Sequence, residues 1–202
     1  MKNGKVIVSP EKLFAYAKEE LTRLGESDEP FNFTMLTADT HFPDGYVCRL
    51  CQNEYEEQYG NVMKCSDTQL SAFIDWIRQQ PFYENTTIIL SGDHLTMDPD
   101  FLADIDDSYV RTNYNCIINA PVTPVQQTNR QFGTIDMFPT TLAAIGVQIE
   151  GDRLGLGTNL FSAEKTLSEQ FGHKQLDAEL QKGSDFYFEK FFELPEEATV
   201  GH

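Results

Sequence analysis

Thr86-Thr-Ile-Ile-Leu90, followed at once by Ser91-Gly-Asp-His94, is the stretch whose reading decides the fold. The run is short, β-branched and apolar, and it does not alternate. That pattern predicts a strand covered on both faces, as in a parallel sheet. Ser91-Gly-Asp-His94 then breaks the strand, and Gly92 permits a sharp turn. Asp93 and His94 place one oxygen and one nitrogen ligand at a strand end, which is half of a divalent metal shell. Downstream, Asn115-Cys-Ile-Ile118 is a second apolar strand, stopped by Pro121. Upstream, Phe31 to Leu36 reads as a strand, and Thr37-Ala-Asp-Thr-His-Phe-Pro-Asp-Gly45 as the loop leaving its carboxyl end.

Helices fill the intervals. Ser9 reads as an N-cap, Pro10 as a first helical residue and Gly25 as the stop, with Leu13, Phe14, Ala17, Leu21 and Leu24 on one stripe. Ser66-x-x-Gln69 reads as a capping box opening a helix whose buried face is Leu70, Phe73, Ile74 and Ile77. A third helix runs from near Thr134 to Gly146, with Pro139 early enough not to break it. The tail mixes helical pieces with aromatics, among them Phe186-Tyr-Phe188 and Phe191-Phe192. Helix and strand alternating in this way predict an α/β domain: a largely parallel sheet flanked by helices. Ligands of such sheets gather outside the strands' carboxyl ends. Two loops leave such ends, one with Asp39 and His41, the other with Asp93 and His94.

The chain has 202 residues, enough for one sizeable core, and 40% hydrophobic with 12% aromatic content excludes disorder throughout. No run approaches the ~18 apolar residues that a membrane span needs. The opening MKNGKVIVSPEK lacks an apolar export signal, so any such signal is expected on preceding sequence. A net charge of −17 repels phosphate backbones, which argues against a nucleic-acid partner.

Other motifs carry less. Alone, His41 reads as an ordinary loop histidine. Asp98, Asp100, Asp104, Asp106 and Asp107 crowd one segment, but a calcium loop counted from Asp98 would need Gly and Glu where Ala103 and Tyr109 stand. The segment therefore reads as a solvated acidic face. Gly151, Gly155 and Gly157 are followed by no Gly-Lys-Ser/Thr, and no Gly-x-Ser-x-Gly elbow occurs. No Ser or Thr stands out as a nucleophile. Cys48-x-x-Cys51 suggests zinc or a redox pair, but no second such pair or paired His follows at zinc-finger spacing. Cys116, in an apolar strand, reads as a buried free thiol.

Four segments occur in a telling order: Phe-Thr-Met-Leu-Thr-Ala-Asp-Thr-His41-Phe-Pro, Ser91-Gly-Asp93-His94-Leu, Thr134-Ile-Asp-Met-Phe-Pro-Thr-Thr141 ending in Gly146, and Leu154-Gly-Leu-Gly157. Together they resemble the carboxyl-terminal half of the phosphoglycerol transferase and lipoteichoic acid synthase group, in the sulfatase branch of the alkaline phosphatase superfamily. The resemblance covers roughly residues 9 to 172. It implies a division into 1–172, part of a sulfatase-like catalytic domain, and 173–202, a helical aromatic-rich tail. It further implies a parent protein tethered to the outer face of a bacterial cell membrane, which moves glycerol phosphate from phosphatidylglycerol to a glycan or polymer acceptor. By the same resemblance, Asp93 and His94 match the Asp-His ligands of one manganese or magnesium ion. His41 matches the histidine that contacts the transferred phosphate group. Cys51 and Cys65 match a disulfide pair. The family's Glu ligand and its nucleophile lie upstream of the His-x-Pro loop, where only about 30 residues precede here. The expectation is a chain truncated on its N-terminal side and inactive by itself. A sulfatase or phosphoester hydrolase of the same superfamily, and a non-catalytic binding module, are the alternatives.

Overall fold

The structure, a computed structural model, describes residues 9–27, 29–106 and 108–192. Residues 1–8, Asp107 and the end of the aromatic tail lie outside the described residues, so expectations placed there stop at the sequence. The chain divides into two compact units, 1–119 and 120–202. The expected division at 172 falls where Gly172 joins two short helices.

The first unit is built on two helices. Helix α1 is Pro10–Gly25, with Pro at its first turn and Phe14, Ala17 and Leu21 buried along one face. Helix α2 is Gln58–Ile77, with Phe73, Ile74 and Ile77 on its buried face. Phe14, Ala17 and Leu21 meet Phe73 and Ile77 in one cluster, and the Phe14 and Phe73 rings stand 5.1 Å apart. Each such large apolar side chain, fully buried, contributes on the order of 1.5–3 kcal/mol.

Helix α2 starts eight residues before the expected Ser66. Residues 58–65 contain Gly60 and Asn61, poor helix formers, and this masks the extension. Tertiary contacts override the propensity. Tyr59, Val62 and Cys65 carry the buried stripe back toward the helix start. The Asn61 side chain folds onto the entering loop: Oδ1 accepts from the Glu54 and Tyr55 amides at 2.7 and 2.8 Å, and Nδ2 donates to the Tyr55 carbonyl at 2.7 Å.

Phe31 to Leu36 is extended but is not a strand among the described residues. It shows the period-two burial of one, with Phe31, Phe33 and Met35 turned to the core and Asn32, Thr34 and Leu36 exposed.

The two expected strands form: β1, Ile88–Ser91, and β2, Asn115–Ile118. Their pairing corrects the expected parallel sheet, because they are antiparallel, with Ile88 opposite Ile118 and Ser91 opposite Asn115. The cause is the connection. Parallel neighbours need a crossover, usually a helix, and among the described residues of 92–114 there is none. The apolar run is half-buried rather than sealed on both faces, and Cys116, on β2, is likewise half-buried.

The second unit opens with a 3-10 turn, Thr134–Asp136, that runs into helix α3, Met137–Ala144. Pro139 sits in its first turn, where a missing N–H is harmless. A short hairpin follows, β3 at Arg153–Leu154 and β4 at Gly157–Thr158. Gly157 is there for close approach: a Cβ would lie 2.0 Å from the Ile135 carbonyl oxygen. Helices α4, Leu167–Phe171, α5, His173–Leu180, and α6, Asp185–Phe191, complete the unit.

Its core is largely polar. Asp136 is almost fully buried, and its carboxylate accepts from the Gly133 and Thr158 amides at 2.9 and 2.8 Å. Thr140 Oγ1 donates to the Asp136 carbonyl at 2.6 Å and accepts from the Leu160 amide at 3.0 Å. Arg130 and Glu169 form a bidentate pair, at 2.7 and 3.1 Å. The pair sits beside a reciprocal cap, in which Thr166 Oγ1 accepts from the Glu169 amide and Glu169 accepts from the Thr166 amide.

Candidate functional site

The loop after residue 36 is shaped by its own backbone. Asp44 and Gly45 both take positive φ, 53° and 68°, and the Tyr46 amide donates to the Asp39 carbonyl at 2.7 Å. A Cβ on Gly45 would sit 2.7 Å from that same carbonyl oxygen and from Val62 on α2. Glycine is therefore required both for the dihedral and for the approach. The turn leaves His41 exposed.

The second loop leaves β1. The Gly92 amide donates to the Tyr114 carbonyl at 2.9 Å, extending the ladder one residue past Ser91, and Asp93 and His94 follow directly. The Asp93 carboxylate accepts from the His94 amide at 2.9 Å.

Both loops face one cleft of about 130 Å³, lined among others by Thr37, Thr40, His41, Asp93, His94 and Thr96. The structure thus brings together the three residues singled out in the sequence. Three threonines share the cleft with them, and none was singled out.

The histidine tautomers follow from hydrogen bonding. His41 Nδ1 lies 2.6 Å from the Phe42 carbonyl oxygen, and His94 Nδ1 lies 2.8 Å from the Leu95 carbonyl oxygen. A carbonyl only accepts, so each Nδ1 carries a proton. His94 Nε2 stands 3.6 Å from Asp93 Oδ2. Two ligand atoms ~2.1 Å from a common ion are about 3.0–3.6 Å apart across angles of 90–120°. The donor set therefore fits a divalent cation, with a second-sphere carbonyl already orienting the imidazole. Both side chains are largely exposed, 70% for Asp93 and 55% for His94. Two exposed ligands form an open half-shell rather than a closed cage.

Residues beneath the cleft hold it. Tyr59, buried on α2, bonds the Thr40 carbonyl at 2.9 Å and Thr96 Oγ1 at 3.0 Å. Asp98 corrects the reading of its segment as a solvated acidic face. It is 2% exposed, and its carboxylate accepts from the Asp44, Asp100 and Phe101 amides at 3.2, 3.1 and 3.2 Å. It ties the His41 loop to the segment after His94. Asp100, Asp104 and Asp106 do face solvent. Asp39, also buried, keeps Oδ1 without a hydrogen-bond partner.

In this structure all four cysteines are free thiols, Cys51 and Cys65 of the expected pair among them. Cys48, which the pairing leaves out, lies with its sulfur 3.6 Å from that of Cys51 and 3.7 Å from that of Cys65. Gln69, expected to cap α2, instead directs its amide to the sulfurs of Cys65 and Cys48.

Among the described residues, no helix is long and apolar enough to cross a membrane. The chain is 31% identical over 152 residues to phosphoglycerol transferase I of Xanthomonas campestris pv. campestris (strain B100), a match covering 72% of this chain and 21% of the relative. It is also 31% identical over 160 residues to phosphoglycerol transferase I of Escherichia coli O139:H28 (strain E24377A / ETEC), covering 76% of this chain and 20% of the relative. The chain thus spans about a fifth of the length of these relatives. No solved structure matches it. The family model described as Sulfatase matches residues 2–147, which take in both loops of the cleft, and the chain belongs to the sulfatase family.

Proposed function

We propose that this chain is part of a metal-dependent phosphoglycerol transferase that moves glycerol phosphate from a phosphatidylglycerol-type lipid to an extracellular glycan or polymer. The observation that carries the reading is the shared cleft of His41, Asp93 and His94. Asp93 and His94 would hold one manganese or magnesium ion, since carboxylate and imidazole suit either. The ion would supply charge neutralisation at a transferring phosphoryl group. His41 stands at the mouth of the cleft and would donate from Nε2–H to a phosphate oxygen. The ligand set here is half complete, and an activated nucleophile is needed as well. We therefore assign turnover to a longer protein, on the outer face of the cell membrane, and none to these 202 residues alone.

A hydrolase reading rests on family membership, since a cleft of this kind serves water as readily as a glycan hydroxyl as acceptor. The experiment is release of glycerol phosphate from headgroup-labelled phosphatidylglycerol by the longer protein, with and without acceptor glycan. Acceptor-dependent transfer supports the transferase. Release indifferent to acceptor selects the hydrolase. No release, or release that survives Asp93→Ala, overturns the reading.

A further inference from the structure

The Cys48–Cys51 turn is closed by a third sulfur from another element. Cys65 lies on α2, and the three sulfurs sit within 4.8 Å of one another. Cys48 Sγ is 3.6 Å from Cys51 Sγ and 3.7 Å from Cys65 Sγ. Around a tetrahedral ion with metal–sulfur bonds of ~2.3 Å, ligand sulfurs are about 3.8 Å apart. Cys48 already holds that spacing to both of its partners.

The backbone supports negative charge there. The Cys51 amide donates to the Cys48 carbonyl at 3.1 Å, and the Cys48 amide donates to Cys51 Sγ at 3.3 Å. Gln69, one turn beyond Cys65, brings Nε2 to 3.3 Å from Cys65 Sγ, while its Oε1 is buried without a partner. The two ends of a carboxamide are nearly isosteric, so a half-turn presents an oxygen donor to the same sulfurs. A bound dication favours the thiolate form of all three sulfurs.

We propose that Cys48, Cys51 and Cys65 form a site for one thiophilic divalent ion of the zinc class, with its fourth position open to the Gln69 carboxamide or water. Sulfur ligands select a softer ion than the carboxylate and imidazole of the cleft. The site uses none of the cleft residues, and it staples the 48–51 turn to α2.

The test uses the full chain, completely reduced, with four titratable thiols confirmed, and Co²⁺ as the probe. The expected result is a one-to-one complex with a thiolate-to-cobalt charge-transfer band and tetrahedral d–d bands, bleached by Zn²⁺. The charge-transfer band is lost in Cys65→Ser and in Cys48→Ser, and retained in Cys116→Ser and in Asp93→Ala. Cys65 is buried and its substitution can disturb folding, so Cys48→Ser, on the half-exposed turn, is the deciding variant. Absence of the band in the reduced chain, or its persistence in Cys48→Ser, overturns the site.

Discussion

Tyr59 and Thr96 lie 3.0 Å apart, hydroxyl oxygen to hydroxyl oxygen, and the same tyrosine bonds the Thr40 carbonyl. One buried side chain on α2 therefore fixes both walls of the cleft. The Tyr59 ring is also anchored edge-on to Phe101, with centroids 4.9 Å apart. Tyr59→Phe keeps this ring contact and removes both hydrogen bonds. The expected loss is about 1–2 kcal/mol of stability, because the Thr40 carbonyl loses the tyrosine hydroxyl and Thr96 Oγ1 is left with the Asp98 amide. Urea unfolding of the first unit's signal measures it. An unchanged midpoint would show that the two loops hold their places without α2.

Asp93 and His94 are exposed, and their mutual contacts are local. Substitution by Ala at either position is expected to change the stability of this chain by less than about 0.5 kcal/mol. The same substitutions in the longer protein are expected to lower glycerol phosphate release by orders of magnitude. A large stability loss with proportionate activity loss would instead mark them as structural.

Much of the site was legible because loops at strand ends carry it: Asp93 and His94 were placed by the apolar run before them, and His41 by the loop before Gly45. Helix α1 was legible from Ser9-Pro10 and its stripe. The direction of β2 was not, since a four-residue strand carries no polarity and the 92–114 connection, without a helix among its described residues, sets it. The start of α2 was hidden by Gly60 and Asn61, and with it the convergence of Cys65 on Cys48. Asp98 could not be told from its exposed neighbours, because burial of one carboxylate among many depends on which amides the fold brings to it. Thr166-x-x-Glu169 carries a capping-box signature of its own.

Arg130 and Glu169 are 8% and 17% exposed, and Arg130 also donates to the Leu160, Ser162 and Glu164 carbonyls. Removing one partner leaves the other charge buried. Arg130→Met is expected to cost on the order of 3 kcal/mol, read as a lowered denaturation midpoint. Burial alone would raise Glu169, but hydrogen bonds from Arg130 and from the Thr166 and Gln131 amides hold it below its ordinary value. A carboxyl lowered in the folded state stabilises fully above its unfolded value, ~4.3, and that contribution is lost as pH falls through the lower folded value. Wild-type stability should therefore drop more steeply below about pH 4 than that of Glu169→Gln. Parallel acid limbs would remove Glu169 from the account.

Oxidation and metal compete for the same three sulfurs. With oxidised glutathione, two protein thiols and one glutathione disulfide give one protein disulfide and two glutathione thiols. We predict Cys51–Cys65 as the bond formed in the metal-free chain. It closes 65 − 51 = 14 residues of separation, worth on the order of 3 kcal/mol in the chain-entropy model. Thiolate is the attacking species, and the expected intermediate is a glutathione mixed disulfide on Cys51 or Cys65, which the other of the two thiols resolves with release of the second glutathione thiol. Zinc bound to all three sulfurs removes their free lone pairs, and the zinc-loaded chain is expected to keep four titratable thiols under the same oxidant for many times longer. Peptide mapping without reductant checks the pairing, and thiol counting against time checks the protection. Cys51 found free in the oxidised chain refutes the pair, and equal oxidation rates with and without zinc refute the competition.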